Sequence, residues 1–157
     1  MTPRQDYKTV APQAYAAMLG VESYVNNSGL EKSLLELVRT RASQINGCAH
    51  CLDMHTKDAR AAGETEQRLY TLSAWRETPF FTDRERAALE WTEAVTLISA
   101  EHISNALYDR IRQYFSGKKI IDLTMAVVSI NGWNRLAIAF QTVPGTYKPS
   151  QKRADIP

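Results

Sequence analysis

Apolar residues recur at three- and four-residue spacing along the whole chain, and no window sustains the alternation that a half-buried strand needs. This periodicity predicts an all-α fold of about six to seven helices and no β-sheet. With 157 residues, 44% of them apolar, the chain has enough material to bury the core of one domain. We therefore expect a single domain over 1–157, with a core at about 10–143 and a polar tail at 144–157.

After an extended start, "QAYAAMLGVESYV" reads as a first helix, ended by "NNSG". Ser28 and Glu31 have the spacing of a capping box, opening a second helix with Leu30, Leu34, Val38 and Ile45 on its apolar side. Asn46-Gly47 breaks that helix. A third runs from about Cys48 to Ala62 and stops at Gly63, and "ETEQRLYTLSAW" forms a fourth. Thr82 and Glu85 make another capping box before a helix with Ala88, Trp91, Val95 and Ile98 on one stripe. Ser104 caps "NALYDRIRQYF", and Gly117 starts the last and most apolar helix, through "AIAF".

That final segment contains Asp122, Asn131, Asn134 and Arg135, which argue against a membrane span and for a helix central to the core or buried between subunits. The tail "PGTYKPSQKRADIP" has three prolines and no periodicity, so it is expected to be disordered or ordered only against a neighbouring chain. The three tryptophans read as core or interface anchors. A formal net charge of +2 on scattered Lys and Arg gives no footprint for nucleic acid. The N-terminal residues lack the apolar run of a signal peptide, so a cytoplasmic location is expected.

Against this background one stretch stands apart. "INGCAHCLDMHTKDAR", Ile45 to Arg60, contains both cysteines of the chain and two of its three histidines. Two cysteines three apart cannot staple a distant loop, and in a reducing compartment such a pair points to redox chemistry or metal binding. On a helix advancing about 100° per residue, Cys48, Cys51 and His55 fall within roughly a 60° arc. His50 points elsewhere on an ideal helix. Cys51 and His55 are i,i+4 neighbours, close enough for a thiol to pass its proton to an imidazole, directly or through water. Cys48 lies at the helix N-terminus, where the dipole and free N–H groups favour a thiolate.

The short Asn-Gly turn makes the second and third helices antiparallel neighbours. At about 1.5 Å per residue, Glu36 lies roughly 16 Å back from the turn and His55 roughly 12 Å forward, so the two can face each other. Thr40 and Ser43 share the side of Glu36 and are small enough to allow close approach. The implied chain runs from Glu36 to His55 to Cys51, a carboxylate orienting a base that acts on a thiol. A thiolate oxidised by peroxide becomes a sulfenic acid, which a nearby thiol condenses with; Cys48 and Cys51 fit that pairing, and an external dithiol would reset it.

The residues Glu36, Cys48, His50, Cys51 and His55 fill every position of a pattern, Glu, eleven residues, then C-x-H-C-x-x-x-H, that resembles the AhpD-like alkyl hydroperoxidases of the carboxymuconolactone decarboxylase superfamily. "WRETPFFTDRERAALEWTEAVT" and "NGWNRLAIAF" also look like segments of single-motif members, so the resemblance spans about residues 20–140. It implies a helical fold that assembles into trimers or hexamers, and a thiol peroxidase acting on alkyl or hydrogen peroxides. The reductant it implies is a dithiol, such as a lipoyl-bearing protein. It also implies that Cys51 is attacked by peroxide and Cys48 resolves it, with Glu36 and His55 as the proton relay and His50 as a fifth site residue. The decarboxylase branch lacks the cysteine pair, which speaks against lactone decarboxylation here.

Three other readings remain at the level of sequence. Cys48, Cys51, His55 and Glu36 could supply four ligands to zinc, although no second CxxC or HxxxH accompanies them. The chain could also be a redox-sensing module without useful turnover, or an oligomer whose thiols are buried and inert. A c-type haem is excluded because Leu52 stands where a His is required. No cofactor and no metal are assigned.

Overall fold

The computed structural model describes residues 2–100 and 102–149. Among the described residues there are eight α-helices and no strand. They are α1 (Tyr7–Val10), α2 (Pro12–Asn26), α3 (Lys32–Asn46), α4 (Ala49–Ala61), α5 (Glu66–Thr71), α6 (Asp83–Thr96), α7 (Asn105–Arg112) and α8 (Gly117–Ala139). A 3-10 segment, Leu72–Glu77, follows α5.

Helix α3 is central, packing against α4, α6 and α8. Its apolar residues Leu34, Leu35 and Val38 meet Ala88 and Trp91 of α6 and Leu123, Ala126 and Val127 of α8. Each fully buried Leu or Val contributes about 1.5–3 kcal/mol, so this three-helix seam fixes how α3 is presented to the rest of the chain. Around the other side Leu37 joins Leu72, Trp75, Phe81 and Leu89. A third cluster bears on chemistry: Cys48 and Cys51 lie with Ala42 of α3 and Ile130 and Ala137 of α8. The sulfurs are thus seated in an apolar wall.

Caps explain most boundaries. Thr82 and Glu85 form the expected reciprocal box, with Thr82 N–H donating to Glu85 Oε2 at 2.8 Å and Glu85 N–H to Thr82 Oγ1 at 3.3 Å. Ser104 and Ser116 cap α7 and α8. Gly47 adopts φ +68° and ends α3 in the left-handed conformation that a tight reversal into α4 requires.

Other expectations need correction. Ser28 does not cap α3; its hydroxyl donates to Val25 O at 2.7 Å and accepts from Leu30 N–H, so it closes α2, while Glu31 pairs with Arg84. The start is not wholly extended, because the Asp6 side chain caps the short helix α1; this adds one helix to the count. The segment after α5 tightens to a 3-10 turn, with non-helical φ/ψ at Ala74. Helix α6 stops at Thr96, which leaves Ile98 exposed and outside the stripe.

The tail behaves differently from its composition. Residues 144–149 are placed along α4 of the same chain through hydrogen bonds to side chains of that helix. Polar α4 side chains supply the partners that an apolar tail would have found in a core. The rest of the tail lies outside the described residues.

No helix among the described residues is long and apolar enough to cross a membrane. Asp122, fully buried on α8, accepts from Tyr24 Oη at 2.8 Å and pairs with Lys118 at 2.8 Å.

Candidate functional site

The site is built on the α3–α4 reversal. Asn46, next to Gly47, donates to Asn131 Oδ1 at 3.0 Å and Asn134 Oδ1 at 2.8 Å, and Asn134 donates to Ser43 Oγ at 3.0 Å. Two asparagines of α8 thus pin the turn, which fixes the register of α4 against α3. Thr40 is fully buried beside them and Ser43 is buried as well, as close helix approach demands.

Cys48 is the N-cap of α4 and Cys51 lies in its first turn, and they form a disulfide with Cα atoms 5.4 Å apart. Cys48 Sγ also accepts the Cys51 backbone N–H at 3.3 Å. The two residues are 1% and 2% exposed, so little surface is open to reagents except through a groove that Cys51 lines. His55, one turn further on, is buried and lines the same groove.

His55 Nδ1 lies 2.9 Å from Glu36 Oε2, across the α3–α4 contact. The register argued from the turn brings this pair together. Burial works to raise the Glu36 pKa, but the hydrogen bond and charge of His55, with Arg39 beside it, hold the carboxyl below the usual carboxylate range. Glu36 is therefore an ionised acceptor near neutral pH, which fixes His55 Nδ1 as the hydrogen-bonded nitrogen and leaves Nε2 for other work.

Behind Glu36 runs a network that sequence reasoning did not find. Arg39, only 6% exposed, donates to Glu36 Oε1 at 2.7 Å, to Asn26 Oδ1 at 2.7 Å and to Glu22. Glu22 in turn accepts from Ser129 Oγ at 2.7 Å and Trp133 Nε1 at 3.3 Å. Arg39 is three residues from Glu36 on the same helix face, a signal present in the sequence; Glu22 and Ser129 come from helices that only the tertiary fold brings near. Trp133 is half-buried on the groove wall, stacked edge-on to Tyr15 at 5.7 Å.

His50 is away from the Glu36–His55 pair, with Nδ1 3.3 Å from Val143 O. It lines the groove all the same. Asp58, one turn beyond His55, accepts both contacts of the Tyr147 hydroxyl, at 2.7 and 2.9 Å.

Glu36, His55 and Asp58 offer ligand atoms within 4.8 Å of one another. In this arrangement Arg39 and His55 hold the two Glu36 oxygens and Tyr147 holds both of Asp58's. The groove itself has a volume of about 1830 Å³, is open to solvent, and is lined by residues of α1, α2, α3, α4, α8 and the C-terminal segment.

The chain matches the Carboxymuconolactone decarboxylase family over residues 11–94. The chain belongs to this family, as an AhpD-like member. It is 43% identical over 139 residues to the uncharacterised protein YdfG of Bacillus subtilis (strain 168), covering 88% of this chain and 95% of that one. It is 36% identical over 66 residues to the alkyl hydroperoxide reductase AhpD of Bradyrhizobium diazoefficiens, covering 42% of this chain and 33% of that one. The crystal structure of an Agrobacterium tumefaciens protein of unknown function, suggested to be an antioxidant defence protein AhpD, superposes with a TM-score of 0.90 at 40% identity. That match covers 93% of this chain and all of the other.

Proposed function

We propose that the protein is a thiol peroxidase that reduces alkyl or hydrogen peroxides through a Cys51–Cys48 cycle. The observation that carries this reading is the Glu36–His55 bond set one helical turn from a disulfide at the N-terminus of α4. In the reduced protein His55 takes the Cys51 proton, and the thiolate attacks the terminal peroxide oxygen. The O–O bond breaks, Cys51 becomes a sulfenic acid, and the departing alkoxide takes the proton from His55 to leave as an alcohol. The Cys48 thiol then displaces hydroxide from the sulfenic sulfur; water leaves and the disulfide forms. An external dithiol reduces that disulfide by exchange and is itself oxidised to a disulfide.

Glu36 orients His55 and stabilises it while it carries the proton, the part a carboxylate plays beside a base. His50 is assigned to the groove wall beside Cys51, not to the relay. The dithiol is expected to be a slender carrier such as a lipoyl arm, because Cys51, 2% exposed, lines the groove while Cys48 is buried behind it. Assembly of several copies is part of the proposal, supported by Leu19, Tyr24, Ile121 and Val128, which remain exposed on α2 and α8.

The test counts free thiols per chain before and after one equivalent of an alkyl hydroperoxide. Rapid loss of both, in a monomeric disulfide that a dithiol reverses, is expected. Cys51→Ser should abolish peroxide turnover, and Cys48→Ser should permit one oxidation and then stall. Equal and full activity in both variants would sink the proposal.

A further inference from the structure

The C-terminal segment is fastened to the helix that bears the cysteines. Val143 O meets His50 Nδ1 at 3.3 Å, and Gly145 N–H donates to Asp53 Oδ2 at 2.9 Å. Lys57 Nζ donates to Tyr147 O at 3.1 Å, and Tyr147 Oη donates to Asp58. Gly145, at φ +101°, supplies the bend that turns the chain back along α4. Lys57 also pairs with Asp53 at 2.8 Å, so the same two side chains that hold the segment hold each other.

The direction of these contacts is informative. With about 100° per residue, His50, Asp53 and Lys57 lie within roughly a 60° arc of α4, the side along which the segment runs. Asp58 lies off that arc, roughly 20° from Cys51 and 60° from His55. Tyr147 therefore leaves the line of the segment and reaches across to the face that carries the cysteine and the base. It lines the groove into which Cys51 opens, together with Met54, and Lys148 and Pro149 continue that edge. Tyr15, Leu19 and Trp133 line the same groove. A half-buried aromatic ring whose hydroxyl and carbonyl are both tied to α4 is a fixed wall, not a loose terminus.

We propose that Tyr147 is a specificity-determining residue: it narrows the approach to Cys51 and selects slender hydroperoxides and slender dithiols over bulky ones. This rests on the reading of Cys51 as the reacting thiol. The ring is held from two points, Asp58 on its hydroxyl and Lys57 on its carbonyl, and the second remains when the hydroxyl is removed. Burial and the neighbouring Asp58 and Glu36 carboxylates push the phenol up to about 12, so the donor proton stays in place across the working range.

The experiment uses the full-length chain with Tyr147→Ala and Tyr147→Phe. In reduced protein, alkylation of Cys51 by iodoacetamide is compared with alkylation by a pyrene maleimide; in parallel, kcat/KM is measured for hydrogen peroxide and cumene hydroperoxide. Tyr147→Ala should raise the bulky-to-small ratio at least tenfold in both assays, with the iodoacetamide rate within twofold of wild type. Tyr147→Phe keeps the ring and should stay within threefold of wild type. Should Tyr147→Ala leave both ratios unchanged while circular dichroism shows a folded chain, the proposal is overturned. Should the Ala variant be poorly folded, Tyr147→Leu is measured by the same ratios and decides. A shifted alkylation ratio without peroxide turnover in any variant supports the wall and removes the peroxidase reading; turnover with unshifted ratios does the reverse.

Discussion

Arg39→Gln tests whether the site rests on a buried charge network. Arg39 stands between two carboxylates, Glu36 at 2.7 Å and Glu22, and also donates to Asn26. Removing one member of a buried ion pair costs about 3–5 kcal/mol, because the partner is left desolvated and unpaired. The Glu22 and Glu36 side chains keep 23% and 12% exposure, so water relieves part of that penalty and the lower end, about 3 kcal/mol, is expected. For a chain of this length the shift in Tm is about 6–12 °C. The penalty should depend on pH in a stated direction. The Glu36 pKa is held down in the fold, so its contribution is complete above the unfolded carboxyl pKa of about 4.3 and is lost as pH falls through the folded value. Without Arg39 that folded value moves up, with His55 still holding it down, so the penalty should shrink as pH falls and Glu36 takes up its proton more readily. Urea unfolding at fixed protein concentration and oxidised cysteines, at pH 7.5 and pH 4, measures both. A penalty below about 1 kcal/mol at pH 7.5, or one equal at the two pH values, would refute the network; adding Glu22→Gln should recover part of the loss at neutral pH.

His55→Ala and Glu36→Gln should each move the midpoint of Cys51 alkylation in reduced protein upward by about one pH unit or more, and an unchanged profile would remove the relay. Tyr147 favours its neutral form in the fold, so its contact with Asp58 is complete below about pH 10 and is lost as pH rises towards 12. Absorbance at 295 nm, wild type minus Tyr147→Phe, should show one phenol titrating near that upper value, and a transition at the ordinary tyrosine pKa would mean the segment is loose. The Cys48–Cys51 Cα separation of 5.4 Å lies within the range of about 4.4–6.8 Å that disulfides adopt and suits residues one helical turn apart. Reduction should therefore leave far-UV circular dichroism within a few per cent of the oxidised protein, and a marked loss of helix would show that the bond holds α4 together.

Much of this site was legible in the sequence because its parts obey local rules. Cys48, Cys51 and His55 share a face by helix geometry, and Asn46-Gly47 makes α3 and α4 neighbours, so the partner of His55 could be placed by counting rise from the turn. Thr82 and Glu85 cap α6 by the same kind of local bond. Ser28 and Glu31 have equal spacing yet do not form a box, because Ser28 finds Val25 O first and Glu31 is drawn to Arg84. Local competition between two acceptors is invisible in a spacing rule. Glu22, Ser129 and Tyr147 were illegible for a different cause: each reaches the site from 14 to 92 positions away, counted from the nearer of residues 36 and 55, and nothing in their own neighbourhoods marks them. The tail misled because prolines and polar residues satisfy the composition of disorder, while the ordering comes from Asp53, Lys57 and Asp58 on another element.

Helix α4 carries two kinds of partner on different sides, and the division has a consequence for chemistry. On the α3 side the partner is Glu36, largely buried and held by Arg39, an arrangement that fixes the orientation of His55. On the other side the partner is a short polar segment, fastened by side chains that are 35% and 22% exposed at Lys57 and Asp53, and exposed pairs of this kind are worth little, about 0–1 kcal/mol. Under the proposed function, proton transfer needs fixed distances, whereas a wall that sorts entering molecules by size needs only to hold its place, which several modest contacts together provide. Placing the strong network behind the base and the weak one beside the groove meets both demands with a single helix. The same division predicts where substitutions are tolerated: changes among residues 143–149 should alter which molecules reach Cys51, and changes at Glu22, Glu36 or Arg39 should alter whether Cys51 reacts at all.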